Sequence, residues 1–332
     1  MTDLSTSRIF YYCYDHNRPS GGEKHSYQHV DILNNNGFEA YAFHRTAGLR
    51  LTWFENATQV VDLQGFQRRY RADRDIIVFP EDFDWSTIDS FPGLRVIFNK
   101  NVFHGFRSLL NVGPAHNPYL SPTTLGVLSV SDHNQRLLSL SYPQLPIYRV
   151  YSHIRRDLFS FRALDKRKRQ IVASTKTMPL MAGVHELLTS RARGGAGAMW
   201  DWVWLSGRSE REVAELLKES LVLVFLSIEE GLPRLALEAM ACGCLLATFR
   251  CGPLMEVLPQ DSGFEYGDIE GIVNWLEALG AAFPSDVCRY QAMTKEASKA
   301  TRQFSLAHQK QSVCRAWKGL LAARDLVRPS AS

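Results

Sequence analysis

Residues 221–257 read LVLVFLSIEEGLPRLALEAMACGCLLATFRCGPLMEV. The stretch opens on an unbroken apolar run, 221–226, of a length suited to a strand buried on both faces. Residues 227–233 interrupt it with turn chemistry, and Pro233 fits a first helical position, where its missing N–H costs nothing. Leu235, Leu237, Ala239, Met240 and Ala241 then predict a short helix of small residues that Gly243 ends. A second apolar strand, 245–248, follows directly. Strand, loop, helix and strand make a βαβ unit. Its loop lies at the carboxyl end of the first strand, where open α/β sheets bind ligands.

The same alternation runs outward in both directions. Upstream, 170–174 is a strand, 174–179 a loop, 180–193 a helix, 194–197 a glycine-rich turn and 201–205 a further strand. Ser209 and Glu212 form a capping box that starts a helix through Glu219. Downstream, helices are expected at 268–279 and 285–304, with an amphipathic one at 306–326. The charge run 165–169, DKRKR, predicts a solvated linker face between two halves. In the first half, strands are expected at 8–14, 39–44, 59–63, 75–79, 95–98, 124–131 and 147–151. Helices fit 23–36, with Tyr27, Val30, Ile32 and Leu33 inward, and also 102–110 and 132–140. The fold class is therefore α/β, with two facing Rossmann-like domains, parallel sheets and a cleft between them.

The chain has 332 residues, enough for two ordinary domains. Apolar residues at 45% and charged residues at 22% are ordinary for a soluble globular protein. A formal charge of +4 and a pI near 8.7 suit an anionic ligand and leave room for peripheral attachment to an anionic membrane. They fall short of a nucleic-acid footprint, and no nucleic-acid partner is expected. Six cysteines show neither CxxC spacing nor a secreted framework, which points to reduced thiols and a cytoplasmic protein. The N-terminus lacks a signal peptide, and no apolar run of about 18 residues is present to span a membrane.

Chemistry concentrates at strand ends. Glu230 falls in the loop after the first strand of the opening stretch, and Glu238 in the first turns of its helix. No Ser, Thr, Asp or Asn precedes Pro233, so the helix start offers its N–H groups to an anion such as a diphosphate. Flanking carboxylates then suit neutral hydroxyl donors; the plainer alternative for Glu238 is a solvated helix carboxylate. Gly21 and Gly22 follow the first strand, either as a tight turn or as backbone approaching a phosphate. No GxGxxG is present, which disfavours a nicotinamide or flavin site. Asn99, Lys100 and His104 follow another strand, either as a solvated loop or as part of a site.

The run from Glu230 through Gly231, Leu232, Pro233, Arg234 and Leu235 to Glu238 and Gly243 resembles the E-x7-E signature of retaining glycosyltransferases of family 4. The likeness extends to the early Gly-Gly loop, the Ser-Glu-Arg-Glu helix start at 209–212, and Cys251-Gly252-Pro253 with Glu256. It implies the GT-B fold, with residues 1–155 as an acceptor-side domain and 156–305 as the donor domain, the helix 306–326 packing back on the first. It implies a hexosyl or related transferase of glycan biosynthesis. Such an enzyme moves a sugar from a nucleotide-sugar to a glycan, lipid, protein or metabolite with retention of configuration.

Carried over, Glu230 would bind donor-sugar hydroxyls and Glu238 the ribose hydroxyls. Gly231, Leu232, Pro233, Arg234 and Leu235 would lie at the sugar and diphosphate, and Gly21 and Gly22 at the phosphate. The family places an Arg and a Lys after the first strand of the donor domain. Here only Lys176 matches, with Arg234, Arg208 or the 166–169 run available for the second charge. Glu230, Lys176 and His104 are the candidate catalytic residues, and Arg18, Asn99, Lys100 and His104 the candidate acceptor contacts. No Asp-x-Asp metal motif appears in a plausible loop, so no metal and no cofactor beyond the donor are expected. Two rival functions share this architecture: a catalytically silent partner subunit of another transferase, and a nucleotide-sugar epimerase. Monomer and homo-oligomer both stay open.

Overall fold

The computed structural model describes residues 7–110, 112–113, 116–174, 177–260 and 262–327. The chain divides into two compact units, Met1–His153 with Leu306–Ser332, and Ile154–Ser305.

The first unit contains β1 (Arg8–Tyr12), α1 (Gly21–Asn34), β2 (Glu39–Phe43), β3 (Val60–Val61), α2 (Leu63–Arg69), β4 (Ile76–Pro80), β5 (Leu94–Asn99), α3 (Val102–Ser108), β6 (Thr124–Ser129), α4 (Asp132–Ser141) and β7 (Ile147–Arg149). Its 7-stranded sheet has the order β3-β2-β1-β4-β5-β6-β7, and neighbouring strands pair in parallel. Every residue of β4 and β6 is buried, because helices cover both faces of a parallel sheet. The chain winds outward from β1 to β3, then returns beside β1 as β4. That reversal opens a crevice at the carboxyl ends of β1 and β4.

Local chemistry shifts some boundaries from those expected. Ser20 caps α1, its hydroxyl accepting from Glu23 N–H at 3.4 Å. Gly21 and Gly22 are therefore the first helical residues and not a turn, and the helix begins two residues before the expected Glu23. Tyr27, Val30, Ile32 and Leu33 are buried as the apolar pattern requires, and so are Glu23, Lys24, His25, Ser26 and His29. The strand expected at 59–63 shrinks to β3, since Asp62 Oδ1 accepts from Gly65 N–H at 2.7 Å and starts α2.

The second unit contains β8 (Lys168–Ser174), α5 (Met178–Arg193), β9 (Asp201–Leu205), α6 (Glu210–Glu219), β10 (Ser220–Phe225), α7 (Arg234–Cys242), β11 (Leu245–Thr248), α8 (Ile269–Ala282) and α9 (Gln291–Ala300). Its parallel sheet runs β11-β10-β8-β9. The βαβ unit anticipated in 221–257 is β10-α7-β11. Gly243 ends α7 with φ 77°, a left-handed conformation that favours glycine. A Cβ there would also run into the Phe161 ring. The capping box is formed: Ser209 N–H donates to Glu212 Oε2 at 2.8 Å, and Glu212 N–H to Ser209 Oγ at 3.4 Å. The helix expected at 285–304 contracts to α9, flanked by short 3-10 turns and without a side-chain N-cap.

The charge run 165–169 is not a uniformly solvated face. Arg167 is buried, and its guanidinium donates to the carbonyls of Arg162 at 2.8 Å, Leu217 at 2.7 Å and Ser220 at 2.7 Å, and to that of Cys242. Arg169 donates to Phe283 O at 2.8 Å. The planar fork of arginine gathers carbonyls from the end of α6, the start of β10 and the end of α7, as a lysine could not.

The last helix, α10 (Leu306–Val327), belongs to the first unit. Its buried Trp317 donates Nε1–H to the Tyr11 hydroxyl at 2.9 Å, and that hydroxyl lies 3.1 Å from His29 Nδ1. Burial and the nearby Lys100 charge hold the His29 pKa down at about 3. The ring is therefore neutral. Among the described residues no helix is long and apolar enough to cross a membrane.

Candidate functional site

In the second unit the chain runs from β8 to β9, then returns to the other side of β8 as β10. The loops after β8 and β10 thus flank the switch point of this sheet. After β10 the chain leaves through Leu226 into a loop that carries Glu230, half-buried, and then buried Gly231 and Pro233. Pro233 is the N-cap of α7, and among the described residues no side chain caps the helix. The positive end of the helix dipole and its first-turn amides are thereby suited to an anion.

Glu238 lies one turn into α7, and its Oε1 stands 3.5 Å from Arg234 Nη2. Their side chains are only 14% (Arg234) and 12% (Glu238) exposed, so the pair is partly desolvated. A cation at a helix start opposes the dipole, and the i,i+4 carboxylate offsets that cost. Leu232 and Leu235 are half-buried beside them. The loop after β11 comes close: burial and the Glu230 charge raise the Cys251 pKa. Glu230, Gly231, Leu232, Pro233, Arg234, Leu235 and Glu238 therefore occupy one loop and helix start. Lys176, expected at the same crevice, lies outside the described residues.

In the first unit the crevice between β1 and β4 holds a buried charge cluster. Gly22 faces Lys100: a Cβ at Gly22 would lie 3.2 Å from Lys100 Cδ and 3.6 Å from its Nζ. The ammonium is 3.6 Å from Glu23 Oε1, with the Lys100 side chain 12% and that of Glu23 3% exposed. Burial lowers the Lys100 pKa, but Glu23, Glu81 and Asp82 outweigh it and hold the ammonium above its ordinary value. Glu81, one residue past β4, is pushed up to about 7 by burial, against the opposing pull of Lys100. Among the described residues, neither its Oε2 nor that of Glu23 has a hydrogen-bond partner. Burial, with the Glu23 charge, raises the Cys13 thiol well above its usual range. Glu81, set against the Lys100 charge, can hold or release a proton near neutral pH.

The remaining candidates fall elsewhere. Asn99 is fully buried; its amide donates to Tyr119 Oη at 2.9 Å and accepts from Asn134 Nδ2 at 3.2 Å, so it faces inward. His104 is exposed in the first turn of α3, its N–H donating to Asn101 Oδ1 at 3.4 Å. Arg18 is exposed in the loop before α1. The structure brings Gly22 and Lys100 together and leaves Arg18, Asn99 and His104 outside that contact. Glu23, Glu81 and Cys13 belong to this cluster without any motif that marks them as site residues. Glu81 carried a usable signal, since it follows an apolar strand directly and so sits at a carboxyl strand end. Among the described residues no cluster of three His, Cys, Asp or Glu side chains is placed to hold a metal ion.

Residues 200–266, which span β9 through the loop after β11, match the family described as Glycosyl transferases group 1. Solved structures match nearly the whole chain. Sucrose-phosphate synthase from Thermosynechococcus elongatus superposes with a TM-score of 0.72 at 13% identity, covering 96% of this chain and 100% of that one. The fold is GT-B. Anabaena HepE in complex with UDP-glucose gives 0.64 at 12% identity, with 94% and 99% of the two chains covered. An alpha-glucosyltransferase in complex with UDP-glucose and DNA containing an abasic site gives 0.61 at 15%, covering 96% and 100%. Curated sequences yield no significant match. At these identities the structural likeness shows the fold, and the group 1 match falls on the segment that carries Glu230 and Glu238.

Proposed function

We propose that the protein is a retaining, family 4 glycosyltransferase that takes a nucleotide-sugar donor in its second unit. The observation that carries this reading is the uncapped start of α7, flanked by Glu230 in the loop and the Arg234–Glu238 pair in the helix. A diphosphate meets the α7 amides, with Arg234 as the nearby cation and Lys176 as the second charge that the family likeness implies. Glu238 accepts from ribose hydroxyls and Glu230 from hydroxyls of the donor sugar. Gly231, Leu232, Pro233 and Leu235 bring backbone and apolar surface against the donor. UDP-glucose, the ligand in two of the similar structures, is the first donor to try.

Catalysis under this reading is electrostatic. Donors aimed at the leaving diphosphate stabilise charge as the glycosidic bond breaks, and the freed phosphate oxygen takes the acceptor's proton on the same face. No metal and no further cofactor enter this scheme. The first unit receives the acceptor, with Lys100, His104 and Arg18 on that side; Asn99 supports them from within. The setting is cytoplasmic glycan biosynthesis.

A thermal-shift screen of nucleotide sugars tests the proposal. A donor should raise Tm in the wild type and fail to do so in Glu230→Ala or Glu238→Ala. Failure of every donor would favour a silent partner subunit, and conversion of the donor sugar without an acceptor would favour an epimerase.

A further inference from the structure

The two sheets are wound alike except for one strand. In each, the first strand in chain order (β1 or β8) is flanked by the second (β2 or β9), and the chain later returns on the other side as β4 or β10. In the first unit a further strand, β3, covers the outer edge of β2, pairing Ala42 with Val60 and Phe43 with Val61. The second unit runs from β9 through α6 straight to β10. Among the described residues no strand lies beyond β9, and the sheet ends there.

Nothing in β9 blunts that edge. A sheet edge offers its backbone to another strand, and proteins guard it with lysine, proline or a bulge. β9 reads Asp-Trp-Val-Trp-Leu, without lysine or proline. Its register with β8 is unbroken from Gln170–Asp201 to Ser174–Leu205, so no bulge turns it away. β10 is buried throughout, whereas Trp202, Val203, Trp204 and Leu205 are only half-buried. The opposite end of the sheet is covered just past β11: Phe264 N–H donates to Thr248 O at 2.8 Å, and Arg250 N–H to Phe264 O at 2.7 Å.

The exposed edge is complementary to itself. Trp202-Val203-Trp204 reads the same in both directions, and both tryptophans project from one face of the strand. Their rings are parallel within 18° with centroids 5.8 Å apart, and the His185 ring of α5 lies 4.9 Å from the first and 6.0 Å from the second. An antiparallel partner related by a two-fold axis at Val203 sets each Trp202 opposite a Trp204, an aromatic cross-strand pair of the kind that stabilises sheets. Asp201, the strand's one charge, then falls opposite Leu205. The two copies of Asp201 stand four residue steps apart, about 13 Å, beyond the ~8 Å over which salt leaves exposed charges in contact.

The helix above continues the match. Met178, Ala182 and Thr189 share the side of α5 that carries His185, and this stripe holds no carboxylate, lysine or arginine. Met178 and Ala182 are exposed. Because α5 lies over β8 and β9, joining two β9 edges would bring the two α5 helices about two strand spacings apart. That is roughly 10 Å, the separation at which helices pack.

We propose that a second copy of this chain completes the sheet. The two β9 strands pair antiparallel about Val203, and the two α5 helices lie side by side over the tryptophans. Each copy presents the same patch to the other, as a two-fold interface requires. Strand and helix flank supply about ten residues a side, fewer than the ~20–30 of a standard interface, so the dimer is reversible, with a Kd of about 10–100 µM. The inference stands on the second unit alone and is independent of the donor reading.

Sedimentation velocity of the full chain from about 1 to 500 µM tests it, with hydrogen exchange measured at both ends of the range. The wild type should dimerise, and the amides of 201–205 should exchange more slowly in the dimer. Trp202→Lys combined with Trp204→Lys opposes like charges across the junction and should leave a monomer. Trp202→Lys combined with Trp204→Glu opposes unlike charges, because position 202 meets 204, and should dimerise again. Ala182→Arg, at an exposed position, should weaken association at least about tenfold by bringing two cations together. Should the tryptophan variants unfold, Ala182→Arg and the exchange of 201–205 decide alone. A wild type still monomeric at ~500 µM overturns the inference, even if it binds phosphatidylglycerol vesicles through the same tryptophans. A dimer that Ala182→Arg or the two-lysine variant leaves intact also overturns it, as does one whose 201–205 amides exchange at the monomer's rate.

Discussion

Replacing Glu81 with Gln probes the buried cluster of the first unit while keeping the size and shape of the side chain. Glu81 is 3% exposed, and burial raises its pKa from the ordinary 4.5 to about 7. The folded protein therefore holds a proton that the unfolded chain releases. Stability from this group is fully present below about pH 4.5, is lost as pH rises to about 7, and is flat above that. The displacement corresponds to about 3 kcal/mol, of which roughly 2–3 kcal/mol should fall between pH 5 and 8.5. Gln cannot ionise, and its Oε1 can still accept the backbone N–H groups that Glu81 uses. Urea unfolding of both proteins across that range, followed by tryptophan fluorescence, gives the difference directly. Glu81→Gln should gain on the wild type steadily as pH rises. Parallel curves, or a wild type that gains with pH, would mean that the Lys100 ion pair outweighs burial and that the reasoning is wrong.

Three further substitutions test how the second unit is held together. Arg167→Met leaves the carbonyls of Arg162, Leu217, Ser220 and Cys242 without their donor, and should cost at least about 3 kcal/mol in urea unfolding. A solvated linker residue would cost almost nothing. Gly243→Ala forces a side chain into a left-handed conformation and against the Phe161 ring; thermal unfolding should report a loss of about 1–3 kcal/mol. Ser209→Ala removes one arm of the capping box and should lower stability by about 1 kcal/mol, most visibly as faster amide exchange in the first turn of α6.

The parts of the fold that were legible are those whose signals are local. An apolar run, Pro233 and Gly243 are enough to place β10, α7 and β11, because each acts through its own backbone. The Ser209–Glu212 box is equally local. What sequence could not show depends on partners far along the chain. The polar residues in the first half of α1 carry no local signal of burial. They are buried because Lys100 pairs with Glu23, and because His29 stacks on Phe98 at 4.6 Å and meets Tyr11, itself held by Trp317. Arg167 sat in a run whose composition suggests solvent, and only the convergence of three chain segments on one guanidinium reveals its role. Ser20 was hidden because two glycines after it suggested a turn.

The central claim is that one loop and helix start bind a nucleotide sugar through two carboxylates with different duties. Calorimetric titration of wild type, Glu230→Ala and Glu238→Ala with UDP-glucose and with UDP separates those duties. Each lost hydrogen bond to a charged group is worth about 1.5–3 kcal/mol, or roughly 10- to 150-fold in Kd. Glu238→Ala should weaken both ligands by that factor, because both carry the ribose. Glu230→Ala should weaken UDP-glucose alone and leave UDP unchanged. Equal affinity for UDP-glucose in all three proteins, or a Glu230→Ala variant that loses UDP as well, would contradict the account.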